Sequence, residues 1–235
     1  MNHPVRPAGL AVLMMLCAFA AASAFAGSSP EEVKAFESTK ARAEAGESWS
    51  QYSLGSHYER GQGVKKDPAQ AIYWYRKSAE QGDVDGQGAL SQIYFEGPPE
   101  VRDLAQGVYW LRKGAERGGR GAQFMLGMAY EKGLGVEKDV VESAKWFEKS
   151  AKQGDVMAQR MLGLNLLLAD GGNRKIAEGY AYLFLASLNN DEFSRTLCHA
   201  IDTRMSPEEL AAARKRTGEL RKEINANLAA AKTSK

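Results

Sequence analysis

Leu126-Gly127-Met128-Ala129-Tyr130-Glu131-Lys132-Gly133-Leu134-Gly135-Val136-Glu137-Lys138-Asp139, followed seven residues later by Trp146-Phe147, is the stretch on which the chain is patterned. Moving the window back by 36 residues returns Leu90, Tyr94, Gly97, Asp103 and Trp110-Leu111. A second step of 36 returns Leu54-Gly55, Tyr58, Gly61-Gln62-Gly63-Val64, Asp67 and Trp74-Tyr75. A fixed period of this length marks a solenoid, in which each unit buries its apolar face only against its neighbours.

Each period reads as two helices. In the first, Leu54 and Tyr58 stand four apart and share a face, and Gly55 beside them lets the partner helix come close. The glycines of Gly61-Gln62-Gly63 take the chain out of that helix through positive φ. Asp67-Pro68-Ala69-Gln70 restarts it, with Asp as cap and Pro in the first turn, and Asp103 and Asp139 repeat the device. The second helix carries Ala71, Trp74, Tyr75 and Ala79 on one stripe and ends near Gly82, Gly118 or Gly154. Trp74, Trp110 and Trp146 therefore read as core rather than as a stacking ladder for bases or sugars. Pro98-Pro99 replaces the loop glycine of the middle copy; proline cannot take positive φ, so this loop is expected to follow another path.

The ends differ from the middle. Ser29-Pro30-Glu31-Glu32 has the form of a capping box, and the helix it opens falls in the repeat register, giving a half repeat over 30–46. Repeats follow at about 50–85, 86–121 and 122–157, then a degenerate copy at 158–193 that has Leu166, Ala169 and Tyr182 in place of the Tyr, glycine and Trp. A further helix covers the region of Asp191 to Arg204, closing a repeat region of 27–204. Over 205–235, Ser206-Pro207-Glu208-Glu209 opens a last amphipathic helix with Leu210, Ala213, Thr217, Leu220, Ile224 and Leu228 on one face, expected to cap the array and to fray at its end. The predicted fold is all-α: an α/α solenoid of helix pairs with a C-terminal capping helix.

Residues 1–26 have a basic start at Arg6, an apolar run from Ala8 to Ala22 and the small-residue pattern Ala24-Phe25-Ala26, and read as a cleavable signal peptide. The run is too short for a comfortable span, so no stable membrane insertion is expected after cleavage. The mature chain would be periplasmic or secreted. Its charge is nearly balanced, the whole sequence carrying +2, which argues against nucleic acid. Beyond the signal there is one cysteine, Cys198, beside Leu197 and Ala200; it cannot form an internal disulfide and reads as a small buried hydrophobe.

No catalytic constellation emerges. His57 and His199 are the only mature histidines, which rules out a three-histidine zinc site, and neither lies in His-Glu-x-x-His. The sequence has no Gly-x-Ser-x-Gly elbow and no Ser-x-x-Lys. Gly61-Gln62-Gly63 and Gly133-Leu134-Gly135 lack the third glycine and the preceding strand of a dinucleotide loop. Glu31-Glu32 and Glu208-Glu209 sit at helix starts, where the helix dipole favours them. The chain is read as a non-enzyme without metal or cofactor.

Leu-Gly-x-x-Tyr, Gly-x-Gly-Val, Asp-x-x-x-Ala and Trp-Tyr/Phe, in the copies starting near Gln51, Gly88, Ala122 and Ala158, resemble the SEL-one-like repeat (SLR) family, relatives of the tetratricopeptide repeats. The resemblance implies a right-handed superhelix whose first helices line a concave groove for peptides or proteins, in members that often act as adaptors or regulators of the cell envelope. On tetratricopeptide geometry the groove face holds the residues two before, two after and five after each core Leu. This selects Tyr52, Ser56 and Glu59; Gly88, Gln92 and Phe95; Phe124, Met128 and Glu131; and Arg160, Leu164 and Leu167, with Trp49 near the mouth. Trp49, Tyr52, Gln92, Phe95, Phe124, Met128 and Arg160 are the candidate binding residues, the large apolar ones standing where the fold does not need them filled. The expected role is a protein-binding scaffold. The alternatives are a cell-wall enzyme or β-lactam-binding protein of the cysteine-rich SLR type, whose disulfide in each repeat is missing here, and self-association through an uncovered solenoid end.

Overall fold

The computed structural model describes residues 28–168 and 175–233. Residues 1–26, assigned above to a signal peptide, and Ala169 lie outside them. The described residues form helices α1 (Pro30–Glu44), α2 (Ser48–Arg60), α3 (Pro68–Glu80), α4 (Val84–Glu96), α5 (Leu104–Glu116), α6 (Arg120–Lys132), α7 (Val140–Ala151), α8 (Val156–Leu168), α9 (Ile176–Leu188), α10 (Glu192–Asp202) and α11 (Pro207–Thr233). Helices of nearly equal length at a constant period give an all-α repeat solenoid. The chain divides into two compact units, one up to Ile93 and one from Tyr94.

The first unit comprises α1 to α3 and most of α4. Glu32 N–H donates to Ser29 Oγ at 3.2 Å and Ser29 N–H to Glu32 Oε2 at 2.7 Å, closing the capping box. Asp67 Oδ1 accepts from the N–H groups of Ala69 and Gln70 at 3.0 Å, and its own N–H donates to the Tyr58 carbonyl at 2.9 Å. The core joins Phe36, Ala43 and Leu54, with Tyr58, Val64 and Trp74 half-buried against it. Tyr75 is buried, and its hydroxyl donates to Glu59 Oε2 at 2.7 Å.

The second unit repeats these devices. Asp103 caps α5 and Asp139 caps α7, and both N–H groups reach back to tyrosine carbonyls, Tyr94 at 3.0 Å and Tyr130 at 2.9 Å. The degenerate repeat keeps the link without the tyrosine: Lys175 N–H donates to the Leu166 carbonyl at 3.1 Å. A Cβ on Gly127 would lie 2.7 Å from the Phe147 ring, so α6 and α7 approach as closely as they do only because residue 127 has no side chain. Trp110 and Trp146 are core as expected, whereas Trp74 in the first unit is half-buried. The Pro98-Pro99 loop does take its own path: Val101 and Arg102 N–H donate to the Pro98 carbonyl, and the Arg102 guanidinium holds the Gly97 carbonyl at 3.0 Å.

The last helix runs to Thr233 and does more than close the end. Ala213, Thr217, Leu220 and Ile224 are buried, and Leu220 and Ile224 share a core with Phe147, Ala158, Leu162 and Tyr182. Farther along, Asn227 Nδ2 donates to the Lys152 carbonyl at 3.1 Å, and Glu223 pairs with Lys152 at 3.1 Å. This helix thus lies back along the array as far as the end of α7.

A periodic element that the sequence reading did not single out ties the repeats together. Gln51, Gln87, Gln123 and Gln159, at steps of 36, are all buried, and each donates from Nε2 to the carbonyl of an alanine eight residues earlier: Ala43, Ala79, Ala115 and Ala151, at 3.1, 3.1, 3.0 and 3.3 Å. Gln81 Nε2 donates to Gln51 Oε1 at 2.7 Å, and Gln153 Nε2 to Gln123 Oε1 at 2.8 Å. Truncating the amide strands buried partners on both sides. We expect Gln123→Leu to destabilise the protein by about 1–3 kcal/mol in urea unfolding, and the exposed Gln70→Leu to leave the midpoint nearly unchanged.

Candidate functional site

The first helix of each pair turns one face to the second helices and the other away from them. In the second unit the face of α6, α8 and α10 turned from the second helices carries Phe124, Met125 and Met128, then Met157, Arg160 and Met161, then Phe193 and Leu197; of these Met125, Met157 and Phe193 are exposed, while Phe124, Met128, Met161 and Leu197 pack partly on the core. Phe124 stands half-buried with its ring centroid 5.7 Å from that of Phe147, and Met128 packs on the same cluster. Phe95 lies over Gly107, where an added Cβ would meet its ring at 2.8 Å, and packs against the cluster that holds Val108, Leu111 and Trp146. These three side chains are anchored in the core and only partly presented. That corrects the reading that the fold does not need their positions filled.

Arg160 is also engaged. Its Nη1 pairs with Asp191 Oδ1 at 2.9 Å, Nη2 donates to Met157 Sδ at 3.1 Å, and the guanidinium lies 5.7 Å from the centre of the Phe193 ring. Asp191 caps α10 through Ser194 N–H at 3.0 Å. Burial pushes the Asp191 carboxyl up, but Ser194 and Arg160 together outweigh that and hold it below the ordinary aspartate range. Arg160 is therefore a strut between α8 and α10 that holds two exposed apolar groups at its sides, Met157 at 44% and Phe193 at 54% exposure. Met125 is similarly exposed on α6.

In the first unit Trp49 is 57% exposed. Tyr52 is half-buried, its ring centroid 5.7 Å from that of Tyr75, and burial foremost pushes its phenol up. Gln92 lies exposed on α4. Trp49, Met157 and Phe193 occupy one column of the 36-residue period, as 49 leads to 85, 121, 157 and 193. Carrying the Trp49 column forward was the signal that would have found Met157 and Phe193.

Other chemistry is structural. His57 Nδ1 lies 2.7 Å from the Gln62 carbonyl and staples the loop that follows α2. Among the described residues no cluster of three or more His, Cys, Asp or Glu is placed to hold a metal ion, and no helix is long and apolar enough to cross a membrane. Cys198 is buried, and its thiol is pushed up to about 12 by burial, with Asp202 adding to the effect. The nucleophile is the thiolate, so native protein at pH 8 is expected to react with a disulfide reagent only as fast as it unfolds, and fully in urea. Rapid native labelling would contradict the burial.

Helix pairs at a 36-residue step, with recurring caps and close glycine contacts, define an α/α repeat protein. The Sel1 repeat model matches residues 50–83, 84–119, 121–155 and 156–191, and the chain belongs to the Sel1 repeat family. The family generally mediates contacts between proteins and is generally non-catalytic. Among solved structures, a Sel1 repeat protein from Oxalobacter formigenes is 31% identical, with a TM-score of 0.65 over 72% of this chain and 50% of that one. A protective antigen present in uropathogenic Escherichia coli strains, displaying an SLR fold, is 29% identical, with a TM-score of 0.51 over 84% of this chain and 50% of that one. The chain thus spans about half the length of these relatives. No curated protein matches it.

Proposed function

We propose that this chain is a non-catalytic scaffold of the bacterial cell envelope, exported by its first 26 residues, that captures a protein or peptide segment on the free face of its first helices. The observation that carries the reading is the pair Met157 and Phe193, large apolar groups about half exposed and fixed in place by the Arg160–Asp191 bridge. Rigid aromatic and adaptable thioether surface, presented beside a charge already paired, suits protein contact better than catalysis. Phe95, Phe124 and Met128 support the same face from below, while Trp49, Tyr52 and Gln92 give the first unit contact positions of its own.

Exposed groups can be removed without opening the core. Met157→Ser with Phe193→Ser is expected to leave the urea midpoint almost unchanged and to weaken capture of the protein's partner from envelope extract by at least about thirty-fold, the effect of losing one or two interface hot spots. Phe124→Ala with Met128→Ala is the poorer test, because both side chains pack on the Phe147 cluster and their loss lowers stability as well. Undiminished capture by the Met157/Phe193 double variant would refute the surface assignment.

A further inference from the structure

The degenerate repeat is the one whose drift from the family skeleton has so far gone unexplained. Where Trp146 stands in the preceding copy it has Tyr182, and where Ala129 stands it has Asn165. The first exchanges the indole N–H of Trp146, itself without a partner, for a hydroxyl, and the second adds an amide; they come together: Tyr182 and Asn165 line one cleft between α7, α8 and α9, of about 800 Å³. That volume is within the range of sites that hold small ligands.

Of the buried side-chain polar atoms that lack a hydrogen-bond partner among the described residues, two are the Tyr182 hydroxyl and Asn165 Nδ2. Tyr182 is 1% exposed. Burial, with Glu148 and Glu178 nearby adding to it, holds its phenol protonated far above the ordinary range, so the group is a hydroxyl that can donate. Buried donors left unpaired are costly, and native proteins satisfy nearly all of them. Two such donors at one cleft each call for an acceptor. A carbonyl oxygen, with two lone pairs, is the simplest group that meets the requirement.

The walls say what should carry the carbonyl. Val141, Ala144, Leu162 and Leu166 give the cleft an aliphatic lining. The charged residues at it are balanced, Lys145 and Lys175 against Glu148 and Glu178, and already paired: Lys145 with Glu142 at 2.9 Å, Glu148 with Lys152 at 2.9 Å, and Glu178 with Arg216 at 2.9 Å. A charged ligand would find no unpaired counter-ion among them. We infer that this cleft is a second binding site, separate from the face of α6, α8 and α10, and that it takes an uncharged aliphatic peptide segment, one backbone carbonyl of which accepts from Tyr182 and Asn165.

The test uses the full chain, labelled with nitrogen-15, and the blocked dipeptide N-acetyl-leucyl-valine methylamide as probe, with 1-octanol as an apolar control that has no carbonyl. The expected result is a saturable shift of the Asn165 side-chain amide with the dipeptide. Tyr182→Phe and Asn165→Leu should each weaken that binding by roughly ten-fold, the effect of one lost hydrogen bond. Both variants remove an unpaired polar group and keep the apolar bulk, so the melting temperature should hold or rise, which confirms that they fold. The inference is overturned by no shift with the dipeptide, by equal affinity in the two variants, or by octanol binding as tightly as the dipeptide. Met157→Ser with Phe193→Ser should leave this binding untouched, so the test stands apart from that of the surface proposed above.

Discussion

Gly135→Ala is expected to destabilise the second unit by about 3 kcal/mol or more, and Gly133→Ala, two residues away in the same loop, by only about 1–2 kcal/mol. Both glycines hold almost the same left-handed backbone, with φ of 71° and 70°, so any L-residue pays a similar conformational penalty at either. What separates them is the surroundings. A Cβ on Gly135 would lie 2.2 Å from the Leu104 carbonyl oxygen, a backbone atom in the first turn of α5 that cannot swing aside. A Cβ on Gly133 would meet nothing nearer than 3.5 Å, ordinary contact. Urea unfolding of the two variants measures the difference directly. Equal costs would mean that the loop after α6 is not seated on α5 and that the repeat interface is built differently.

Phe147→Ala is the second large effect, expected at about 3–5 kcal/mol. Phe147 is completely buried, and its ring fills the space left by Gly127 on α6. It also joins α7 to the layer beyond, in a core with Leu162, Tyr182, Leu220 and Ile224. The period itself indicates a gentler replacement: positions 111 and 183 carry leucine at the same register, and both are buried. Phe147→Leu should therefore cost about 1–1.5 kcal/mol, a void partly filled by relaxation. Tyr109→Ala, at a half-exposed position of α5, should shift the midpoint by no more than about 0.5 kcal/mol. A Phe147→Ala effect no larger than that of Tyr109→Ala would contradict the continuity of this core.

Much of the fold is legible because its determinants are local. Asp67, Asp103 and Asp139 cap helices within three residues of themselves, and Gly127 faces Phe147 within one helical hairpin, so a single period of sequence carries the whole instruction. In a second column of the period Asp83, Asp155 and Asp191 cap α4, α8 and α10, and Asn190, 36 residues after Gly154, holds the left-handed conformation that glycine holds in the other copies. The glutamine ladder was within reach of the same reasoning, since Gln51, Gln87, Gln123 and Gln159 are as periodic as the tryptophans. A glutamine in a helix is ordinarily a surface residue, and nothing in its type announces burial.

The surface was less legible because it depends on contacts between repeats. Phe124 and Phe95 look idle on a single helix, yet each rests on the second helix of its own repeat. Arg160 looks like a ligand-orienting cation until the cap of α10, 31 residues away, is brought beside it. The reach of α11 to Lys152 spans 75 residues and has no period to announce it. The exposed members, Met157 and Phe193, were hidden in the column that Trp49 begins, because Asp85 and Gly121 interrupt it.

The face of α6, α8 and α10 turned from the second helices is proposed as a protein-binding surface. Its most direct test places a photocrosslinking amino acid at Phe193 in the native cell, with a second protein carrying it at Lys149, an exposed position on α7 whose ammonium lies over the Trp146 ring. A discrete crosslinked product is expected from position 193 and none from 149, with the partner identified by mass spectrometry. Crosslinks of equal yield from both positions, or none from 193 in folded protein, would contradict it.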